Sequence, residues 1–535
     1  MTQTQTQGST LFIIGITLVA TLGGLLFGYD TAVISGATEA LKVFFVTPLE
    51  SDSALALQVL GEYKIIISIC FIVVSSLISS FMFRMYGKQK GIIYSSILIL
   101  AGIVIWYTQF WVSVNELTEN TLNSINGFTI SSAIIGCVIG GSICGYVSQR
   151  LGRKRGLVLA AVLFTISAVG SAMPEIMNFF GASTISAFIF YRIVGGIGVG
   201  IASMLSPMYI AEIAPAKYRG TLVSANQFAI VFGMLVVYFV NYTISLNGDA
   251  NWLNEIGWRY MFASETIPAF IFLVMLYFVP ESPRYLIMKS REEEAESVLN
   301  KIVGTIKAPQ LMADIKESLK EKNAPWLTFG GLIITIGVLL SVFQQFVGIN
   351  VVLYYAAEIF RNLGSSTGDA LYQTIIVGAI NLIFTVLAIF TVDKFGRKPL
   401  MIIGGVGMGI CMFALGAAFY YNQLGLVALF AMLGYVAFFA MSWGPVTWVL
   451  LSEIFPNSIR SAMSLAVAAQ WIANMIVSWT FPMMNDNSWL TGMFNHGFSY
   501  WIYGAMGILS AIFVWKVVPE TKGKTLEEMG RLWKK

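Results

Sequence analysis

Charge is scarce in this chain: of its 535 residues only 11% are Asp, Glu, Lys or Arg, while 57% are hydrophobic. A water-soluble domain of this length could not cover its surface with so few ions. Histidine is nearly missing, with His496 the single copy. With one histidine, and with no metal-ligand cluster or nucleophile motif, an enzyme is not expected, nor is a metal or cofactor site. The four cysteines, Cys70, Cys137, Cys144 and Cys411, fall within long apolar runs. There they act as small apolar residues rather than disulfide partners and say nothing about redox compartment. A net charge of +4 gives no reason to expect a nucleic-acid partner, and its distribution matters more than its total.

What is abundant is apolar sequence long enough to cross a hydrocarbon core of roughly 30 Å, for which about 20 residues suffice. Such runs lie near 11–32, 65–83, 91–112, 128–148, 156–175, 185–210, 221–244, 259–279, 327–356, 370–392, 399–421, 424–451, 462–482 and 498–518, fourteen in all. The first is not expected to be a removable signal peptide, because its leader has no basic residue and it runs into Phe27-Gly28-Tyr29-Asp30 without a cleavage site. With the N-terminus inside, 27 of the 32 Lys and Arg residues fall on the cytoplasmic side; Lys42, Lys64, Arg259 and Arg361 fall outside and Arg192 within a span. The excess of positive charge on cytoplasmic loops therefore selects an orientation with both termini cytoplasmic.

Three motifs recur at nearly one offset. Gly152-Arg153-Lys154 and Gly396-Arg397-Lys398 are 244 positions apart, Glu212 to Arg219 and Glu453 to Arg460 are 241 apart, and Pro280-Glu281-Ser282 and Pro519-Glu520-Thr521 are 239 apart. A duplicated six-helix unit follows. Phe27 to Asp30 matches Val347 to Asn350 only at 320, which implies roughly 76 added residues after the first helix. The expected organisation is an all-α, polytopic, two-lobed membrane protein. Its first bundle occupies 1–280 with an inserted transmembrane hairpin at about 50–126, its second 326–518, with a cytoplasmic helical linker at 281–325 and a cytoplasmic tail at 519–535 that carries a last short helix. The basic turn Arg84 to Lys90 is what such a hairpin needs at its cytoplasmic end.

Ionisable residues inside spans cost about 2.5–3.5 kcal/mol each on insertion scales, so the few that occur are functional candidates. Asp30 and Arg192 could pair, and Glu265 is the third. Such a pair is either a static clamp between helices or a proton site whose affinity changes as Arg192 moves. Amides form a second set: Gln345, Asn350 and Tyr354 at helical spacing after Gln344, with Gln227, Asn381, Gln470 and Asn474 on other spans. An amide both donates and accepts, which suits vicinal hydroxyls, and Trp448 and Trp471 could cover the C–H face of a sugar ring. An intramembrane amide also serves as glue between helices. The cytoplasmic charges, Glu212 with Arg219, Glu453 with Arg460, and Arg153, Asp393 and Arg397 at the Gly-Arg-Lys turns, are read as state-dependent salt bridges that hold an inner gate shut, beside the plainer reading of the lysines as topology signals.

Together these motifs resemble the sugar porter family of the major facilitator superfamily, closest to its bacterial D-xylose:proton symporters. The resemblance rests on Gly-Tyr-Asp at 28–30, Gly-Arg-Lys at 152–154 and 396–398, Pro-Glu-Ser-Pro-Arg at 280–284, Gln-Gln-Phe-Val-Gly-Ile-Asn at 344–350 and Pro-Glu-Thr-Lys-Gly at 519–523, and covers nearly all of the chain outside 50–126. It implies import of a monosaccharide with a proton by alternating access across the bacterial cytoplasmic membrane, carried out by a functional monomer. Asp30 would take up the proton beside Arg192. Gln227, Gln344, Gln345, Asn350, Trp448 and Gln470 would touch the sugar, with Phe27, Tyr354, Asn381 and Trp471 lining the same cavity. Met234 stands where the xylose symporters carry a second glutamine, a departure that bears on which sugar is preferred. The competing readings are an uncoupled facilitator and a sugar sensor that does not transport, the latter disfavoured by the roughly 17 residues after the last span, since sensors of this kind usually need a long cytoplasmic tail.

Overall fold

The computed structural model describes residues 8–112, 116–176, 178, 181–215, 219–319, 324–423 and 425–522. Lipid offers no partner to a bare N–H or carbonyl, so a span must satisfy its backbone within itself, and the described residues are helical with no strand. Thirteen of the helices among them are long and apolar enough to cross a bilayer. They are α1 (Thr10–Val33), α2 (Ser53–Trp106), α3 (Glu119–Arg150), α4 (Arg153–Ala172), α5 (Thr184–Ile213), α6 (Arg219–Ser245), α7 (Ala250–Tyr277), α8 (Gly331–Tyr354), α9 (Thr367–Phe395), α10 (Arg397–Tyr420), α11 (Leu426–Ile454), α12 (Met463–Asn485) and α13 (Gly497–Val517). α2 is too long for one pass. It breaks at Gly87, where φ is 74°, and its arms run back along each other, with Phe71 against Trp106 at 6.3 Å and Tyr86 against Tyr94 at 4.8 Å. Counting both arms restores the fourteen passes read from hydropathy.

α1 and α3–α7 form one lobe and α8–α13 the other. The helix that the repeat sets near Phe128 begins earlier, at Glu119, capped by Thr118. Between the lobes run the helices Pro283–Met288, Glu292–Val303 and Ala308–Ser318; the middle one buries Ala295, Val298, Leu299 and Ile302 and turns its acids outward. We call this side of the protein the linker face and the other the far face. The short helix expected after Lys522 lies outside the described residues.

Close packing inside the first lobe depends on glycine. A Cβ on Gly196 of α5 would strike the backbone of Ala133 and Gly136 on α3, so the two helices touch main chain to main chain. Two spans of the second lobe are discontinuous. α8 unwinds at Gly348, which takes φ of 90°, and α11 breaks at Ser442 (φ −131°, ψ −89°). Interrupted helices present unpaired backbone groups to a cavity midway through the membrane.

Gly196→Val should therefore destabilise the folded protein by at least about 1–3 kcal/mol, the usual cost of overpacking. Gly145→Val on α3, where a Cβ meets open space, should leave stability unchanged. Thermal unfolding of the two purified variants against the parent checks this.

Candidate functional site

At the centre of the first lobe α1 carries Asp30 and α5 carries Arg192, each at most 1% exposed. Arg192 Nη1 donates to Asp30 Oδ1 at 2.7 Å and its Nη2 to the Asp30 carbonyl at 3.1 Å, while its guanidinium lies 5.2 Å from the centre of the Phe262 ring. Glu265 of α7, fully buried, comes within hydrogen-bonding reach of Asp30. The three candidates drawn from the sequence are thus one cluster of two carboxylates and one guanidinium. Neither Glu265 oxygen nor Asp30 Oδ2 has a donor.

The amides gather in the second lobe. Gln344 Nε2 donates to the carbonyls of Trp443 (3.0 Å) and Gly444 (3.3 Å), which fastens α8 to the break in α11. Gln345 Nε2 donates to Gln344 Oε1 at 3.3 Å, and Asn350 Nδ2 in turn donates to Gln345 Oε1. Asn474 reaches the Tyr354 hydroxyl at 3.5 Å. Gln470 is buried with its carbonyl oxygen unpartnered, and Phe27 of the first lobe meets Trp471 of the second with ring centroids 5.7 Å apart. Gln227 and Trp448 are half-buried, while Asn381 and Met234 are buried. Gln344 is therefore structural as well as polar: its amide N–H groups are consumed by the broken helix, which spacing alone did not indicate.

On the linker face the repeat reads out as two matching clusters. Glycines with φ of 94° and 90°, Gly152 and Gly396, open α4 and α10. In the first, the Glu281 carboxylate accepts the N–H groups of Arg153 (3.0 Å) and Lys154 (3.2 Å). Glu520 does the same for Arg397 (3.1 Å) and Lys398 (3.0 Å) in the second. A side chain in place of either glycine would run into that carboxylate. Burial raises the Glu520 carboxyl, but backbone N–H donors from Lys522, Lys398, Arg397 and Thr521 outweigh it and hold it below the usual carboxylate range. Arg153 binds Glu212 at 2.6 and 2.8 Å, and Glu212 also accepts from Ser282. Arg397 binds Glu453 at 2.8 and 3.2 Å, and Glu453 accepts from Thr521 at 2.5 Å. The partner of Glu212 is thus Arg153 rather than Arg219, which opens α6 exposed and makes no ion pair among the described residues. The side chains of Asp393 and Arg460 lie outside the described residues.

The lobes meet through polar contacts on the far face. Lys42 pairs with Asp486 at 2.8 Å and Arg361 with Glu39 at 3.4 Å. Asn123 donates to the Asp486 carbonyl, Asn487 to Asn120, Ser488 to Glu119, and Trp479 to Ser124. On the linker face every ion pair among the described residues stays within one lobe or within the linker. Sequence reading missed this latch, although Lys42 and Arg361 were two of the few cations it put on the outer side.

Two repeated lobes, one holding a buried charge cluster and the other a set of buried amides beside broken helices, latched at one face, define a membrane carrier that opens to its two sides in turn. The chain belongs to the sugar transporter family: the family model "Sugar (and other) transporter" matches residues 16–114 and 106–533, the two stretches meeting where the hairpin ends. It is 55% identical over 542 aligned positions to the D-xylose-proton symporter of Escherichia coli (strain K12), covering 99% of this chain and 97% of that one. It is 34% identical over 524 positions to the glucose facilitated diffusion protein of Zymomonas mobilis, covering 97% of each. Its structure matches the partially occluded inward open conformation of the xylose transporter XylE from E. coli with a TM-score of 0.77 at 53% identity, over 96% of this chain and all of that one.

The far-face latch carries an extra acid. Glu358, half-buried beside Asp486, is pushed up to about 8 by burial first and by the Asp486 charge next; Arg361 and Lys42 oppose this and Glu39 adds to it. Opened into water, Glu358 would return towards its ordinary 4.5. The closed far face therefore holds one more proton than the open one between these values. Its stabilisation from Glu358 is complete below about 4.5 and lost as pH rises through about 8. Spin-label distances across the far face should lengthen over that range in the parent, and the pH dependence should be flattened in Glu358→Gln.

Proposed function

We propose that this protein imports a monosaccharide, D-xylose or a related pentose or hexose, together with a proton, as a monomer in a bacterial cytoplasmic membrane. The observation that carries the coupling is the Asp30, Arg192 and Glu265 cluster: a guanidinium held on one carboxylate, with a second carboxylate facing it and no donor to spare. A passive carrier has no need of an ionisable group in so dry a site, since its burial is costly and does nothing for an uncharged cargo. The name of the 55% identical relative supports both sugar and proton.

Most of the chain's Lys and Arg lie on the linker face, which makes that face cytoplasmic and the latched far face the outside. The lobes are then closed outwards, in keeping with the inward open neighbour. Sugar hydroxyls would take over the bond between Asn350 and Gln345 and the free Gln470 carbonyl, with Gln227, Trp448 and Trp471 completing the contact and Phe27, Tyr354 and Asn381 bounding it. The Arg153–Glu212 and Arg397–Glu453 clusters would act as the inner gate by offering their charges to the opposite lobe when the cytoplasmic ends approach, exchanging partners rather than creating new ones. Met234, apolar and buried, would leave one sugar hydroxyl without the partner a glutamine would supply, a gap that favours a sugar other than xylose by the usual penalty for an unmade bond, about 0.5–1.5 kcal/mol.

In liposomes an imposed inward proton gradient should drive accumulation of labelled xylose by the parent. Asp30→Asn should lose accumulation while keeping sugar exchange at equal pH. Accumulation that survives in Asp30→Asn would remove the cluster from coupling, and a parent that only equilibrates its sugar would make the protein a facilitator. Met234→Gln should raise xylose affinity about threefold to tenfold, read by isothermal titration.

A further inference from the structure

The hairpin α2 takes no part in the transport site, yet it is organised. Its arms are pinned by Trp106 Nε1 donating to Ser68 Oγ at 3.1 Å, and it touches the rest of the protein near its two ends. At the far-face end Tyr63 shares a hydrogen bond with Ser124 (2.9 Å) and Ser183 donates to Glu62. At the linker-face end Phe81 lies 6.1 Å from Trp326, and Arg84 stands 6.0 Å from the same ring. Trp326 opens the second lobe and donates to Ser461 ahead of α12 at 2.9 Å.

A groove of about 1240 Å³ runs along the hairpin from Ile65 to Arg84. It is lined by the small Ser75, Ser76, Ser79 and Ser80 together with Ile72, Phe83, Ile99 and Ile103. Two of these hydroxyls are spent on the backbone: Ser76 donates to the Ile72 carbonyl and Ser79 to the Ser75 carbonyl, both at 2.8 Å. A guest would find hydrocarbon walls, which suits an acyl chain and not a sugar.

Charge identifies the other end of the guest. From Tyr63 to Asn115 the chain has no Asp or Glu, while the turn concentrates Arg84, Lys88 and Lys90. All three are exposed, and none forms an ion pair among the described residues. A second copy of the chain is a poor occupant: related by a two-fold axis along the membrane normal, it would bring its own three cations against these three. An anionic amphiphile satisfies both the hydrocarbon groove and the unpaired cations.

We propose that the hairpin is a binding site for an anionic phospholipid of the leaflet on the linker face, with an acyl chain in the groove and the phosphate on Arg84, Lys88 and Lys90. This assignment does not depend on which solute the carrier moves. A phosphate on Arg84 would lie beside Trp326 and so at the point where the second lobe begins.

Native mass spectrometry of the full chain with added phosphatidylglycerol or phosphatidylcholine tests it. The parent should retain one phosphatidylglycerol in preference to phosphatidylcholine. Arg84→Gln, Lys88→Gln and Lys90→Gln should each weaken that retention about fivefold, the worth of one cation near a charged headgroup. Ser76→Phe with Ser79→Phe should fill the groove and release the lipid, with thermal unfolding and sugar exchange unchanged as proof of folding. Equal retention of the two lipids by the parent, retention unaltered by the charge variants, or retention that survives the filled groove would each overturn the proposal. A dimer that the filled groove dissociates would overturn it in favour of a second copy.

Discussion

The interaction on which the rest depends is the bond from Arg192 to Asp30 deep in the first lobe, with Glu265 looking on. A guanidinium can balance one carboxylate, and neither oxygen of the second has a hydrogen-bond partner among the described residues. All three groups are buried in the lobe. The glycine crossing of α3 and α5 and the packing of α1 keep the pair buried.

The other polar features divide by face. On the linker face each lobe carries its own cluster, Arg153 with Glu212 and Glu281, Arg397 with Glu453 and Glu520, and each of these bonds stays within its own lobe. On the far face the pairs cross, Lys42 to Asp486 and Arg361 to Glu39. Opposite faces thus hold opposite bonding patterns, as expected of a molecule caught in one of two arrangements that exchange partners. The broken helices α8 and α11 lie between, and Gln344 ties one to the break in the other.

Much of this was legible in the chain. Fourteen apolar runs, a repeat near 240 positions and a basic turn within an acid-free stretch were enough for two lobes and a hairpin, because membrane spans are specified by local composition. The Asp30, Arg192 and Glu265 cluster was legible because ions in lipid are rare enough to stand out. Partner choice was not. Glu212 and Arg219 are close in sequence, yet the glycine turn at Gly152 brings Arg153 to Glu212 instead. Nor was the far-face latch, since Lys42 and Asp486 are 444 positions apart and each looks like an ordinary loop charge. Gln344 looked like a ligand, and only the break at Ser442 reveals the backbone carbonyls it must serve.

The proposal that Asp30 and Glu265 share one proton is tested most directly by infrared difference spectroscopy of the carboxylic C=O stretch. The account requires a protonated, water-shielded carboxyl band at neutral pH that disappears in both Asp30→Asn and Glu265→Gln, because each removes one half of the shared site. A parent without such a band, or a band that persists in both variants, would contradict it.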